Sequence, residues 1–155
     1  MINDSRIIVD FSRGLVYLTV SCLVEVENLR MIPNTKISHT ILEFGKSVIL
    51  QLPNDHTKEE FETAIRIVIT AWNAVVMDGW EKSNRFETEL LSTIKNIPKE
   101  AQVEIKRLIK RKKKSFGSDP RAVGHHWVRE QSGEFIFGCE ARLNVENAPA
   151  EKTRH

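Results

Sequence analysis

Cysteine is scarce. The chain of 155 residues has two, Cys22 and Cys139, far apart and outside any CxxC or CxxH spacing. Neither a disulfide framework nor a zinc site can be read from them, and the simplest setting is a reducing, cytoplasmic one. Glycine and proline are also few, seven and five, and the glycines stand singly. That excludes a collagen-like or low-complexity chain, a Walker loop and a dinucleotide fingerprint. There is no Gly-x-Ser-x-Gly elbow. No apolar run is long enough to cross a bilayer. The segment Leu15 to Val26 follows Arg13 as the core of an export signal would, but Asp4 and Asp10 spoil the basic leader.

What remains is a globular composition, 41% hydrophobic and 28% charged. A chain of this length buries roughly 70% of its unfolded surface without a metal or disulfide staple. One α+β domain over residues 1–143, followed by a flexible tail at 144–155, is expected.

Between Leu15 and Glu27 the residues Val16, Leu18, Val20, Cys22, Val24 and Val26 fall on alternate positions. The β-branched excess favours a strand, although Leu15, Leu18, Cys22 and Val26 also fit a helical repeat. Ile7 to Phe11 reads as its partner. His39 to Phe44 and Ser47 to Leu52 flank Gly45 and Lys46, as in a type II′ hairpin. The N-terminal third is thus expected to form an antiparallel sheet.

Three central helices follow. Thr57 and Glu60 make a capping-box pattern ahead of the stripe Phe61, Ile65, Val68, Trp72, Val75 and Val76. A second apolar set, Ile67, Ile69, Ala71, Ala74 and Met77, leaves this helix apolar nearly all round, so it is either central to the domain or covered by a second copy in a homodimer. The next helix runs from about Ser83 to Asn96 with Phe86, Leu90 and Ile94 on one face. The third begins at Pro98, carries Ala101, Ile105, Leu108 and Ile109 inward, and stops at Gly117. A C-terminal β-hairpin closes the domain, with Trp127 to Gln131 and Glu134 to Leu143 around Ser132 and Gly133. Phe135, Phe137, Cys139, Ala141 and Leu143 would share its inner face.

The third helix carries the most unusual feature. Lys106, Arg107, Lys110, Arg111, Lys112, Lys113 and Lys114 concentrate seven cations in nine residues, leaving 16 basic against 21 acidic residues elsewhere. Such segregation suits an anionic partner, a nucleic acid or an acidic protein. The plain alternative is a solvated helix end, where cations complement the dipole. Were all seven to meet duplex phosphates, the slope of log affinity against log salt would approach about −6. Helical geometry argues against that, since Lys106, Lys110 and Lys113 point to one side and Arg107, Arg111 and Lys114 to another. No stacking aromatics accompany the run, and no helix-turn-helix, zinc-finger or RNP signature is present.

A competing enzyme reading rests on Asp119, Glu140 and His126. An acidic residue followed by Glu-x-Lys on a strand is how many metal-dependent nucleases hold their cation. Here Arg142 stands in place of the lysine, and arginine cannot accept a proton. His125 and His126 are adjacent on an extended backbone and face opposite ways, so they do not chelate one ion together; His39, His56 and Glu130 are further donors with nothing to fix the set. Cys22 and Cys139 sit in the apolar registers of strands, as core thiols do.

The expectation is therefore a cytoplasmic binding or regulatory protein rather than an enzyme, without cofactor, metal or membrane contact. Its surface would be Lys106, Arg107, Lys110, Arg111, Lys113 and Lys114, with a homodimer through the helix around Ile67 to Met77 as a further expectation. A metal-dependent nuclease or hydrolase is the alternative.

Overall fold

The computed structural model describes residues 36–144. Their order is α1 (Ile37–Phe44), α2 (Lys46–Ile49), α3 (Lys58–Glu81), α4 (Arg85–Thr93), a 3-10 turn at Ile94–Asn96, α5 (Lys99–Ser115), β1 (Ala122–Gln131) and β2 (Glu134–Arg142). The fold is mixed α+β. Among the described residues the sheet is the single antiparallel pair β1–β2. The strands expected at Ile7 to Phe11 and Leu15 to Glu27, with Cys22, lie outside the described residues.

The expected hairpin over His39 to Leu52 is overturned, because that stretch forms α1 and α2. Ile37, Ile41 and Phe44 supply a helical stripe, and all three are buried. Gly45 is not a II′ turn residue: its φ is −86°, where that turn needs a positive value. It is glycine because a Cβ would stand 2.5 Å from a methyl of Val68. Its lack of a side chain lets the α1–α2 corner press against α3.

α3 is the axis of the molecule. Thr57 and Glu60 close the capping box: Thr57 Oγ1 accepts from the Glu60 N–H at 3.2 Å, and Glu60 Oε2 accepts from the Thr57 N–H at 2.7 Å. Phe61, Ile65, Val68, Ala71 and Trp72 are fully enclosed, and Ile69, Ala74 and Val76 are buried too. The helix packs against α5, α4, β1, α2 and α1. Phe44, Trp72 and Phe116 meet edge to face with centroids 5.1 to 5.8 Å apart. Phe116 thereby ties the end of α5 to the core.

The carboxylate of Asp78, on the last turn of α3, accepts from the N–H groups of Phe86 (2.8 Å) and Glu87 (3.0 Å). It thus caps α4, whose own N-cap Asn84 makes no side-chain bond. α5 starts one residue after Pro98, which serves as its N-cap.

The hairpin forms where expected, with β1 beginning five residues earlier than Trp127. Ser132 and Gly133 both have positive φ, 54° and 77°, as a two-residue I′-type turn requires. The expected alternation of β2 holds only in part, since Ile136 and Gly138 are buried and Ala141 and Leu143 exposed. Gly138 lies beneath the indole of Trp127, which a Cβ there would strike.

Side chains of α3 grip the root of the hairpin. Trp72 Nε1 donates to the Arg121 carbonyl at 2.7 Å, and Trp80 Nε1 to that of Pro120 at 3.0 Å. The Asn73 amide bonds both backbone groups of Val123, accepting from its N–H at 2.8 Å and donating to its C=O at 2.9 Å.

Candidate functional site

α5 turns its buried stripe, Ile105, Leu108, Ile109 and Lys112, towards the core. The inward stripe read from the sequence ends at Ile109. Lys112 corrects that. It is 1% exposed, and its Nζ donates to the carbonyls of Phe116 (2.6 Å) and Asp119 (2.9 Å) while lying 4.1 Å from the Trp72 ring centroid. Burial pushes its pKa down to about 8, with Asp119 opposing the shift and Arg121 adding to it. Beside it, Asp119 holds Arg121 in a bidentate pair, Nε to Oδ1 at 2.9 Å and Nη2 to Oδ2 at 2.6 Å. Both residues are buried.

The other six cations divide. Arg111 is half-buried, and its Nη2 donates to the Glu43 carbonyl at 3.1 Å, tying α5 to the C-terminal end of α1. Arg107 pairs with Glu104 at 3.0 Å and Lys113 with Glu87. Lys106, Lys110 and Lys114 are exposed and make no ion pair among the described residues. Lys106, Lys110 and Lys113 line a surface pocket of about 220 Å³ between α4 and α5, with Glu87, Leu91 and Ile109. The result is a lysine face about two turns long, able to neutralise anionic groups.

The residues of the enzyme reading do not converge in this way. The Asp119 carboxylate is occupied by Arg121. Glu140 is exposed on β2, and His126 faces a small pocket with Glu62, Arg66, Trp127 and Val128. His125 is exposed, across an irregularity in the strand pairing between Val123 and His126. Among the described residues no group of three or more His, Cys, Asp or Glu side chains is arranged to hold a metal ion. His56 is packed against Phe61 and Phe135 and donates from Nδ1 to the Pro53 carbonyl at 2.7 Å. Burial lowers the pKa of His39, helped by Lys36. Cys139 pairs with His126 across the hairpin, and burial raises its thiol to about 12.

Of the tryptophans, Trp72 is core and Trp80 covers the edge of the hairpin root, whereas Trp127 is 37% exposed with the Arg129 guanidinium 4.6 Å from its ring centroid. Sequence reasoning missed Asn73 and Asp78 altogether. Each is a lone short polar residue on the apolar half of α3, and that isolation was the available signal.

Among the described residues no helix is long and apolar enough to cross a membrane. The chain matches no protein-family model, no curated protein and no solved structure.

Proposed function

We propose that this protein is a cytoplasmic, non-enzymatic binding module that contacts nucleic acid through the outer face of α5, at Lys106, Lys110 and Lys113, with Lys114, two turns beyond Lys106, at the border of that face. The observation that carries the reading is that Lys106, Lys110 and Lys114 keep their ammonium groups in solvent and unpaired among the described residues, while Lys112 and Arg111 of the same run are drawn into the fold. Lys106 and Lys110 are one helical turn apart, so they face a backbone together. With three or four phosphate contacts instead of seven, the salt slope on duplex DNA is about −3, from roughly −0.9 per contact.

Fluorescence anisotropy of labelled duplex DNA, single-stranded DNA and RNA, titrated at low and near-physiological salt, tests this. The triple variant Lys106→Glu, Lys110→Glu, Lys114→Glu removes binding, with only the small fall in melting temperature that reversing Lys114 in the last turn of α5 costs. Arg111 and Lys113 are left untouched, because their partners Glu43 and Glu87 make them structural as well as electrostatic. Nucleic-acid binding unaffected by the triple variant would sink the reading, and binding of an acidic polypeptide in its place would redirect it to a protein partner.

A further inference from the structure

α5 separates two surfaces of opposite sign. On the flank away from the lysine face, α2, the first half of α3 and the start of α5 enclose a groove of about 540 Å³. Its floor is apolar, made by Val48, Leu52, Ala64, Ile67 and Ala101. Glu59, Glu60, Glu100 and Glu104 also line it, and no lysine or arginine does. Glu60 spends one oxygen on the capping box, and Glu104 accepts from Ser47 Oγ at 2.8 Å and from Arg107 at 3.0 Å. Glu59 and Glu100 are exposed, with no ion pair among the described residues.

The geometry points to a docking groove for a basic amphipathic helix of a partner protein, which seats apolar residues on the Val48–Leu52–Ile67 floor and sets lysines or arginines against Glu59 and Glu100. Volume and lining suit this occupant. The space falls in the range of pockets that bury a ligand's apolar surface, and a helix laid in a groove needs only its i, i+4 and i+7 side chains to enter. Charge chooses the partner's sign. An acidic or neutral helix leaves the carboxylates uncompensated at the edge of an apolar site, where opposed like charges are strongly unfavourable. The inference is independent of the nucleic-acid reading, because the groove and the lysine face share no residue.

The test uses the full chain and a fluorescein-labelled leucine–lysine peptide long enough for about four helical turns, with leucines at helical spacing. Two controls accompany it, a scrambled peptide of equal composition and a leucine–glutamate counterpart. Saturable one-to-one binding is expected for the helical basic peptide, with both controls at least about tenfold weaker. Glu59→Lys with Glu100→Lys weakens the basic peptide by a similar factor, with only the small fall in melting temperature that a cation in the first turn of each helix costs, whereas Lys106→Glu with Lys110→Glu does not weaken it. Equal binding of the scrambled peptide, or indifference to the glutamate reversals, overturns the proposal. A photo-cross-linking benzoylphenylalanine in place of Gln51, which is exposed and lines the groove, then names the occupant. The expected adduct is to the peptide; an adduct to a second copy of the chain, or to residues 1–35 of the same chain, that excludes the peptide overturns it.

Discussion

Lys110 and Lys112 stand two residues apart on one helix and work in different media. Lys110 is solvated beside Lys106; Lys112 is enclosed under Trp72 and bonded to two backbone carbonyls. A run of identical charges is therefore not a single feature. Where the helix turns a cation inward, its value lies in the acceptors it satisfies, and where outward, in what it can attract from solution.

The contrast is broken most severely at its buried end. Asp119→Ala removes the bidentate carboxylate partner of a buried guanidinium and costs about 3–5 kcal/mol in urea unfolding. A loss under about 1 kcal/mol would mean that water reaches Arg121 and that the inner region is not a separate medium.

Lys112→Met comes next. It strands the carbonyls of Phe116 and Asp119 and costs about 2–3 kcal/mol. Its pH dependence sharpens the comparison. The folded pKa of Lys112, about 8, lies below its ordinary value of 10.5, so between those pH values the unfolded chain binds more protons than the folded one. Stability owed to Lys112 therefore rises with pH across that window. The gap between the native chain and Lys112→Met should widen from pH 8 to 10.5. A constant gap would place Lys112 in water-like surroundings.

Asp78→Ala leaves the Phe86 and Glu87 amides without their acceptor, for a loss of about 1–2 kcal/mol that hydrogen exchange should localise to α4. At the solvated end, Lys106→Glu and Lys110→Glu each change stability by under about 0.5 kcal/mol, and Lys114→Glu, in the last turn of α5, by up to about 1 kcal/mol. A larger loss would make the outer lysines structural.

The sequence was readable where a local rule decides the outcome. The Thr57–Glu60 box acts over three residues, and the stripe from Phe61 to Val76 is long enough to outvote noise. The Ser132–Gly133 turn declares itself because few residues other than glycine tolerate positive φ. The stretch from His39 to Leu52 failed because Gly45 answers to Val68, 23 positions away, and no local pattern separates a glycine needed for clearance from one needed for a turn. The solvated lysines were legible in part, since the wheel of α5 places Lys106, Lys110 and Lys113 on one flank. Lys112 was legible too, had position been given more weight than charge: it continues the i, i+3, i+4, i+7 series from Ile105. The acidic groove was not, because its carboxylates come from two helices about 40 residues apart.

Asn73 carries a consequence beyond holding the hairpin in place. An amide that bonds both the N–H and the C=O of one residue imitates a neighbouring strand one residue long. At Val123 the backbone groups that an incoming strand would recruit are already engaged by a side chain of the same molecule. Sheet extension by a foreign chain, the common route from an open edge to aggregation, is blocked at that point with neither a proline nor a charge at Val123 itself.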